Sequence, residues 1–323
     1  MLPANAAPPA RDCSSMIRHF IAALVLAVNT AAFAADNTPQ PPIIDAHFHV
    51  MPYMNFDELR QAMDRNGIRA AGGAGAIGTA QRNSDVAAAL GARYIRATGQ
   101  AQWISLKQEG GVAALENADS PAFKARLAAM ETDLRDNDAR VIGEIHVSTL
   151  NSAANERVYH KIRGDAPTLK AMFDLAGKYK RALNVHAEWT GDTARELLAL
   201  AAGNREARLV LAHCGVVADA DTMRAALEQN PNIYCDLSYR SPPQLKARAL
   251  SRMIYDNSRL RGEWKKLIED FPDRFVVGID DVYNWPDYEE TARNIRSGLL
   301  ANLKPDVAEK VAFRNAQLLF GLE

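Results

Sequence analysis

From residue 43 onward, short apolar runs alternate with stretches of helical periodicity. IIDAHFHV (43–50) is strand-like, and FDELRQAMDRNGI (56–68) follows with apolar residues at helical spacing and Gly67 as a stop signal. RAAGGAGAIG (69–78) reads as a weak strand of small residues, NSDVAAALG (83–91) as a helix capped by Asn83 or Ser84, and RYIRATGQ (93–100) as a third strand. The next helix, SPAFKARLAAMETDLRDN (120–137), opens with Ser120 as N-cap and Pro121 at its first position, where a missing N–H costs nothing. RVIGEIHV (140–147) is the fourth strand.

The second half keeps the same beat. TLKAMFDLAGKYK, GDTARELLALAAG and ADTMRAALEQN are helical, and between and after them lie the strands ALNVHAEW (182–189), ARLVLAHCG (207–215) and NIYCDLSY (232–239). Residues 242–270 read as mostly helical, RFVVGIDD (274–281) is the eighth strand, and two helical patterns close the chain. Eight strand–helix repeats without a break in composition predict an α/β fold, a single (β/α)8 TIM barrel over residues 43–323. The competing architecture is an open doubly wound sheet. No G-x-G-x-x-G or G-x-x-x-x-G-K loop opens any helix, so neither a dinucleotide nor a nucleoside triphosphate is indicated.

The first forty residues are different. From Met16 the chain reads MIRHFIAALVLAVNTAAFAADN: Arg18 in a short n-region, an apolar run from Phe20 to Val28, and Ala32-Phe33-Ala34 as a cleavage site. The run is shorter than the roughly 20 apolar residues a membrane span needs, so residues 16–34 are expected to be a signal peptide cut after Ala34. Residues 1–15, including Cys13, then precede the natural start, and residues 35–42 form a Pro-rich linker. The mature protein is expected in the periplasm or outside the cell, with no membrane association after cleavage.

Charge narrows the partners. Thirty-eight basic residues against 39 acidic ones, with no basic stripe, argue against nucleic acid and for a small-molecule substrate. A homo-oligomer stays open. The mature chain keeps two cysteines, Cys214 and Cys235, each in an apolar segment. Buried reduced thiols are the expectation for such residues, and a single bridge between them stays open.

Strands of a parallel barrel are buried on both faces, so polar residues inside them need a reason. They gather at the C-terminal ends, where such barrels carry their active sites: Asp45, His47 and His49; Glu144 and His146; His186 and Glu188; His213; Asp236 and Ser238; Asp280 and Asp281. Alternation puts Asp45, His47 and His49 on one face, and likewise Glu144 with His146 and His186 with Glu188. Imidazole and carboxylate donors suit a zinc-type divalent cation.

Asp45-x-His47-x-His49 on the first strand, His186 on the fifth, His213 on the sixth and Asp280 on the eighth, in that order, resemble the amidohydrolase superfamily and its amidohydrolase-related branch. The closing FRNAQLLFGL is similar to the last helix of that branch, so the resemblance spans about residues 43 to 322. It implies that His47, His49, His186 and Asp280 surround a divalent metal, Zn²⁺ by expectation. His213 then binds a second ion or acts as a neutral acid/base, and Glu144 occupies the position of a bridging ligand. The fourth strand has no lysine, which excludes a carboxylated-lysine bridge and leaves one ion or two open. Gly278-Ile279-Asp280 departs from the branch, which usually has a threonine or serine before the aspartate.

The implied reaction is hydrolysis of an amide, lactone or other ester. Metal-acidified water loses its proton to Asp280, which returns it to the leaving group, while His213 helps polarise the carbonyl. Asp45 is expected to orient a ligand histidine. The alternative within the branch is metal-dependent decarboxylation of a small aromatic or unsaturated acid, and the alternative outside it is an exported metal-binding or sensing protein without turnover. For substrate contacts the candidates are Arg157, His160, Lys161 and Arg163 in the loop after the fourth strand, and Arg240 after the seventh. Trp103, Trp189 and Trp285 are candidates for an apolar wall.

Overall fold

The computed structural model describes residues 41–76, 80–152, 156–245, 252–280 and 283–322. The expected extension 1–15, the signal peptide 16–34, most of the linker and Asp281 lie outside them. Parallel strands run in the order β1 (Ile43–Val50), β2 (Ile68–Ala76), β3 (Tyr94–Ile95) and then β4 (Ala97–Gly99), β5 (Val141–Ser148), β6 (Ala182–Ala187), β7 (Arg208–Leu211), β8 (Ile233–Asp236) and β9 (Phe275–Val276). β3 and β4 are two pieces of one barrel strand, interrupted at Arg96. Nine labelled strands therefore make eight barrel positions. Closure comes from the segment after β9: Ala46 N–H donates to Val277 O at 2.9 Å, and Ile279 N–H to His47 O at 3.2 Å.

Helices cover the outside: α1 (Phe56–Arg65), α2 (Ala80–Leu90), α3 (Gln100–Ala114), α4 (Pro121–Asp136), α5 (Pro167–Lys178), α6 (Gly191–Gly203), α7 (Ala220–Gln229), α8 (Gly262–Asp270), α9 (Trp285–Asn294), α10 (Pro305–Glu309) and α11 (Asn315–Phe320). α4 shows how they attach. Ser120 Oγ accepts from Phe123 N–H at the N-terminus, a cap worth about 1 kcal/mol, and Phe123, Met130 and Leu134 are buried against the barrel at about 1.5–3 kcal/mol each. Among the described residues, no helix is long and apolar enough to cross a membrane.

Four local features differ from the pattern reading. α2 starts at Ala80, so Asn83 and Ser84 lie within it; Asn83 Oδ1 instead accepts from Tyr94 OH at 2.6 Å, tying the helix to the third strand. α3 has no counterpart in the reading, because Gly110 and Gly111 break its periodicity and Gly111 sits at φ 69°. Regular helix after the seventh strand begins only at Gly262, and residues 246–251 of that stretch lie outside the described residues. β7 stops at Leu211, leaving His213 and Cys214 in a turn with φ of 52° and 48°.

That turn carries the clearest correction: Cys214 and Cys235 are joined in a disulfide rather than reduced. Both are fully buried, one just after β7 and the other in β8, so the bridge links neighbouring strands. It closes a loop of 21 residues in sequence, for which chain-entropy arguments give about 3 kcal/mol. A Cys214→Ala/Cys235→Ala double variant is expected to lose about that much in denaturant unfolding. Thiol titration of the denatured, unreduced natural protein should find neither of these two cysteines free; reactive thiols at both would contradict the bridge.

Candidate metal centre

The polar ends of the strands converge on Glu144. Its Oε1 lies 2.9 Å from His186 Nδ1, 3.4 Å from His213 Nε2 and 3.6 Å from His47 Nε2. Its Oε2 lies 3.3 Å from His146 Nε2 and 3.4 Å from His49 Nε2. Across the ring stands Asp280, with Oδ1 3.5 Å from His47 Nε2 and 3.7 Å from His49 Nε2, and Oδ2 3.8 Å from His213 Nε2. All of these residues are buried. The six residues singled out as ligands, His47, His49, Glu144, His186, His213 and Asp280, thus meet at one point, and His146 joins them. Period-two alternation already set His146 on the face of Glu144, although no role followed from it.

Three of the rings, those of His47, His213 and His186, are aimed by a second contact. His47 Nδ1 lies 2.5 Å from Asp236 Oδ2, a carboxylate that can only accept, so Nδ1 carries a hydrogen and Nε2 is the nitrogen that faces inward. His213 Nδ1 lies 2.8 Å from Ser238 Oγ, and Ser238 N–H donates to Asp236 Oδ1 at 2.7 Å. On the opposite side, Ser152 Oγ donates to Glu188 Oε1 at 2.9 Å and lies 3.0 Å from His186 Nε2. Asp45 does not orient a histidine. Its Oδ1 accepts from the backbone N–H groups of Ile279 at 2.9 Å and His47 at 3.4 Å, so it holds the closing segment to β1. Asp236 takes the role expected of Asp45.

Gly278 stands one position before Ile279, the residue that departs from the branch pattern, and the space around it is what requires a glycine. A Cβ there would fall 2.7 Å from His47 Cβ, 3.0 Å from Asp236 Oδ1 and 3.0 Å from Ser238 Cβ. The glycine leaves the volume that the His47–Asp236 pair occupies. Backbone strain gathers nearby as well: His213, Cys214, Tyr239 and Asp280 all have positive φ, a conformation costing of order 1–3 kcal/mol per residue and sustained only where surroundings enforce it.

Electrostatics decide what the centre can hold. Burial disfavours charge on His47, yet Asp236, Glu144 and Asp280 together raise its pKa well above the usual value. Burial likewise opposes ionisation of Glu144, but the imidazoles of His146, His186 and His47 keep its pKa well below the carboxylate range. His146 goes the other way, since burial, opposed by Glu144, drives it down to about 3. Asp45 is raised well above the usual value, mainly by burial. Among the described residues, no lysine or arginine pairs with Glu144, Asp236 or Asp280. His47 Nε2, buried and without a hydrogen-bond partner, faces two carboxylates. Inward-facing imidazole nitrogens beside carboxylates that no lysine or arginine balances fit a divalent cation, which would take the place of the proton on His47. Three donor groups have ligand atoms within 4.8 Å of one another: His47–His49–Asp280, His47–Glu144–His213 and Glu144–His146–His186.

Comparison with known proteins adds the fold. No protein-family model and no curated protein matches the chain. Solved structures do: an uncharacterized TIM-barrel protein from Bordetella bronchiseptica aligns with a TM-score of 0.55 at 15% identity over 83% of each chain. An amidohydrolase from Burkholderia multivorans with HEPES bound gives 0.56 at 16% identity, over 87% of this chain and 100% of its own. A second crystal form of that amidohydrolase, with zinc bound, gives 0.53 over the same shares. The fold is their (β/α)8 barrel. At 15–16% identity the likeness is one of fold, and it agrees with the barrel that the strand–helix pattern predicts.

The candidate substrate contacts fare differently. Arg240 is buried and donates to the backbone carbonyls of His213, Ala218 and Arg252, which leaves it pinning the turn after β7 rather than facing a substrate. His160 is buried with Nε2 2.8 Å from His146 O, and Trp103 Nε1 donates to the same carbonyl at 2.9 Å. Arg163 pairs with Asp165 on the surface, and Trp285 Nε1 donates to Glu58. Asn155 lies outside the described residues.

Removing the carboxylate that aims His47 should loosen the centre without touching a ligand. Asp236→Asn is expected to weaken metal retention about 10–100-fold against a competing chelator, while Asp45→Asn, which keeps an acceptor for Ile279 N–H, should hold metal as the parent does. Equal retention by Asp236→Asn and the parent would refute the assignment.

Proposed function

We propose that the protein is a metal-dependent enzyme of the amidohydrolase superfamily that hydrolyses an amide, lactone or other ester bond of a small molecule, with Zn²⁺ as its ion. The observation that carries this reading is one buried carboxylate, Glu144, ringed by five imidazoles and faced by Asp280. A divalent ion in the centre supplies positive charge where an oxyanion develops and acidifies water. Every other part belongs to the chain. His47, His49 and His186 present nitrogen donors, and Asp236 and Ser152 hold two of those rings in place. Asp280, whose carboxylate faces His47, His49 and His213, accepts the proton of the attacking water and passes it to the leaving group. His213, locked by Ser238 and 3.8 Å from Asp280 Oδ2, lies where it can polarise the scissile carbonyl.

The decarboxylase alternative asks for one ion and a histidine–aspartate pair, which His213 and Asp280 would supply. Glu144 weighs against it, because a carboxylate within reach of every imidazole suits a bridging ligand more than a single-ion site. The Cys214–Cys235 disulfide supports export to the periplasm or beyond, since such bridges persist in oxidising compartments.

A panel of lactones, esters, amides and benzoates, run in ¹⁸O-labelled water, tests the reaction. Label in the product acid without carbon dioxide release is expected; carbon dioxide release without label would replace hydrolysis by decarboxylation. Asp280→Asn should lower kcat on the substrate so found by roughly 10²–10⁴-fold, the usual weight of a general acid–base group, and full activity in that variant would sink the role given to Asp280.

A further inference from the structure

The rings of His47 and His186 lie 4.8 Å from that of His213, and both belong to the centre. Tyr239 packs against the same ring, with centroids 5.6 Å apart and planes tilted by 55°, and it has no part in the centre. His213 is buried, whereas Tyr239 is half-buried and reaches solvent. It stands three residues after β8, at the end of the barrel where the polar strand ends meet.

The backbone at Tyr239 has a φ of 53°. Glycine adopts that conformation freely and asparagine with little cost, but a bulky aromatic residue does not. Among the described residues, Asp138 and Lys180 share the sign of φ but are exposed just after α4 and α5, while His213, Cys214, Val216 and Asp280 lie with Tyr239 at the mouth. Hydrogen bonds hold the stretch from both sides of the ring. Ser238 N–H donates to Asp236 and its Oγ meets His213 Nδ1, and Arg240 donates to His213 O at 2.9 Å and to Ala218 O at 3.0 Å. The surroundings thus keep a tyrosine in a conformation suited to glycine, and strain of that kind points to a use for the side chain.

The chemistry beside His213 is apolar. Trp189 backs the turn that carries it: a Cβ on Gly215 would fall 2.8 Å from Trp189 Cβ, and Trp189 N–H donates to Gly215 O at 3.0 Å. Arg240, the neighbouring cation, is committed to three backbone carbonyls, so recognition here falls to a ring face rather than to a charge. Exposed apolar side chains gather at the same end of the barrel, with Tyr53 after β1, Leu150 and Tyr159 after β5, and Tyr283 after β9. Such a lining suits a substrate whose body is apolar and whose reacting group alone meets polar atoms.

We propose that Tyr239 determines specificity: its ring is the wall against which a planar, uncharged group bonded to the scissile carbonyl lies, so that aromatic and unsaturated acyl groups are preferred to saturated ones of equal size. The inference rests on the proposed hydrolysis, which sets that carbonyl beside His213, and it names the class of substrate. Aromatic groups pair in offset or tilted arrangements with centroids about 4.5–7 Å apart and gain from this beyond their burial. Ser238 and Arg240 hold His213 from either side of Tyr239, so the ring can be exchanged without releasing the histidine.

Two probes that cannot be hydrolysed, trifluoroacetophenone and cyclohexyl trifluoromethyl ketone, separate recognition from turnover. Their affinities for the full zinc-loaded protein are measured by calorimetric titration and expressed as a ratio, phenyl over cyclohexyl. Relative to the natural protein, that ratio is expected to fall about 2–10-fold in Tyr239→Leu, which keeps bulk and loses the flat face, and in Tyr239→Asn, which suits the backbone. Tyr239→Phe should keep it. The ratio of kcat/KM for methyl benzoate over methyl cyclohexanecarboxylate should fall in the same two variants by a similar factor. Tyr239→Asn is further expected to retain zinc and to melt no lower than the natural protein, because released strain offsets lost packing. An unchanged ketone ratio in Tyr239→Leu and Tyr239→Asn, or a natural protein that binds neither ketone, would overturn the proposal. So would an equal fall in Tyr239→Phe, which would assign the effect to the hydroxyl, or loss of zinc in Tyr239→Asn, which would make the ring a support for the centre. A natural protein that shows the expected ketone behaviour yet hydrolyses nothing in the panel above would leave the aromatic wall standing and remove the hydrolase reading beneath it.

Discussion

The structure depends on a negative charge placed where water cannot balance it. Glu144 is buried at the centre of the barrel mouth, and an isolated carboxylate there would be neutralised by protonation. Five imidazoles are turned on it from three strands and the turn after β7, and those of His146, His186 and His47 hold its pKa well below the carboxylate range. Those rings face inward only because the strand ends are held, and the holding groups are themselves buried and polar. The barrel is thus built around an electrostatic demand that its hydrophobic layers cannot meet, and a divalent cation that accepts imidazole nitrogen and carboxylate oxygen would meet it.

Closure serves the same end. The last strand is short, and the segment after it is bound to β1 by backbone hydrogen bonds around His47 and by Asp45. This brings Asp280, 233 residues after His47 in the numbering, to within 3.5 Å of it. Gly278 is the allowance made in the wall for that approach. Neither Asp45 nor Gly278 bears on chemistry directly; both decide whether the ligands from the two ends of the chain reach a common point.

Much of this is legible along the chain, for a physical reason. The period of two on β1 and β5 is local, so His47 and His49, and Glu144 and His146, can be set on one face without knowing the fold. The strand-to-helix beat likewise predicts the barrel, and barrel geometry sends the strand ends to one side. The features that stay hidden depend on distant pairs. Asp236 aims His47 across 189 positions, and no spacing rule connects them; the chain offers Asp45, two residues away, as the nearer candidate. Arg240 reads as a free cation in the sequence, whereas three backbone carbonyls surround it in the fold. The pairing of Cys214 with Cys235 stems from β7 and β8 being neighbours, a fact of topology and not of composition.

That neighbourhood has a mechanical meaning. One oxygen of Asp236 holds His47, the other holds the backbone of Ser238, and Ser238 holds His213. The residue before Asp236 is bonded through sulfur to the residue after His213. The two histidines are therefore fixed to a single rigid triangle of two strands, closed by hydrogen bonds on one side and by a covalent link on the other. Motion of the loops above can change what reaches the mouth while the separation of these two rings stays constant, so the part of the site that chooses a substrate is free to vary independently of the part that acts on it.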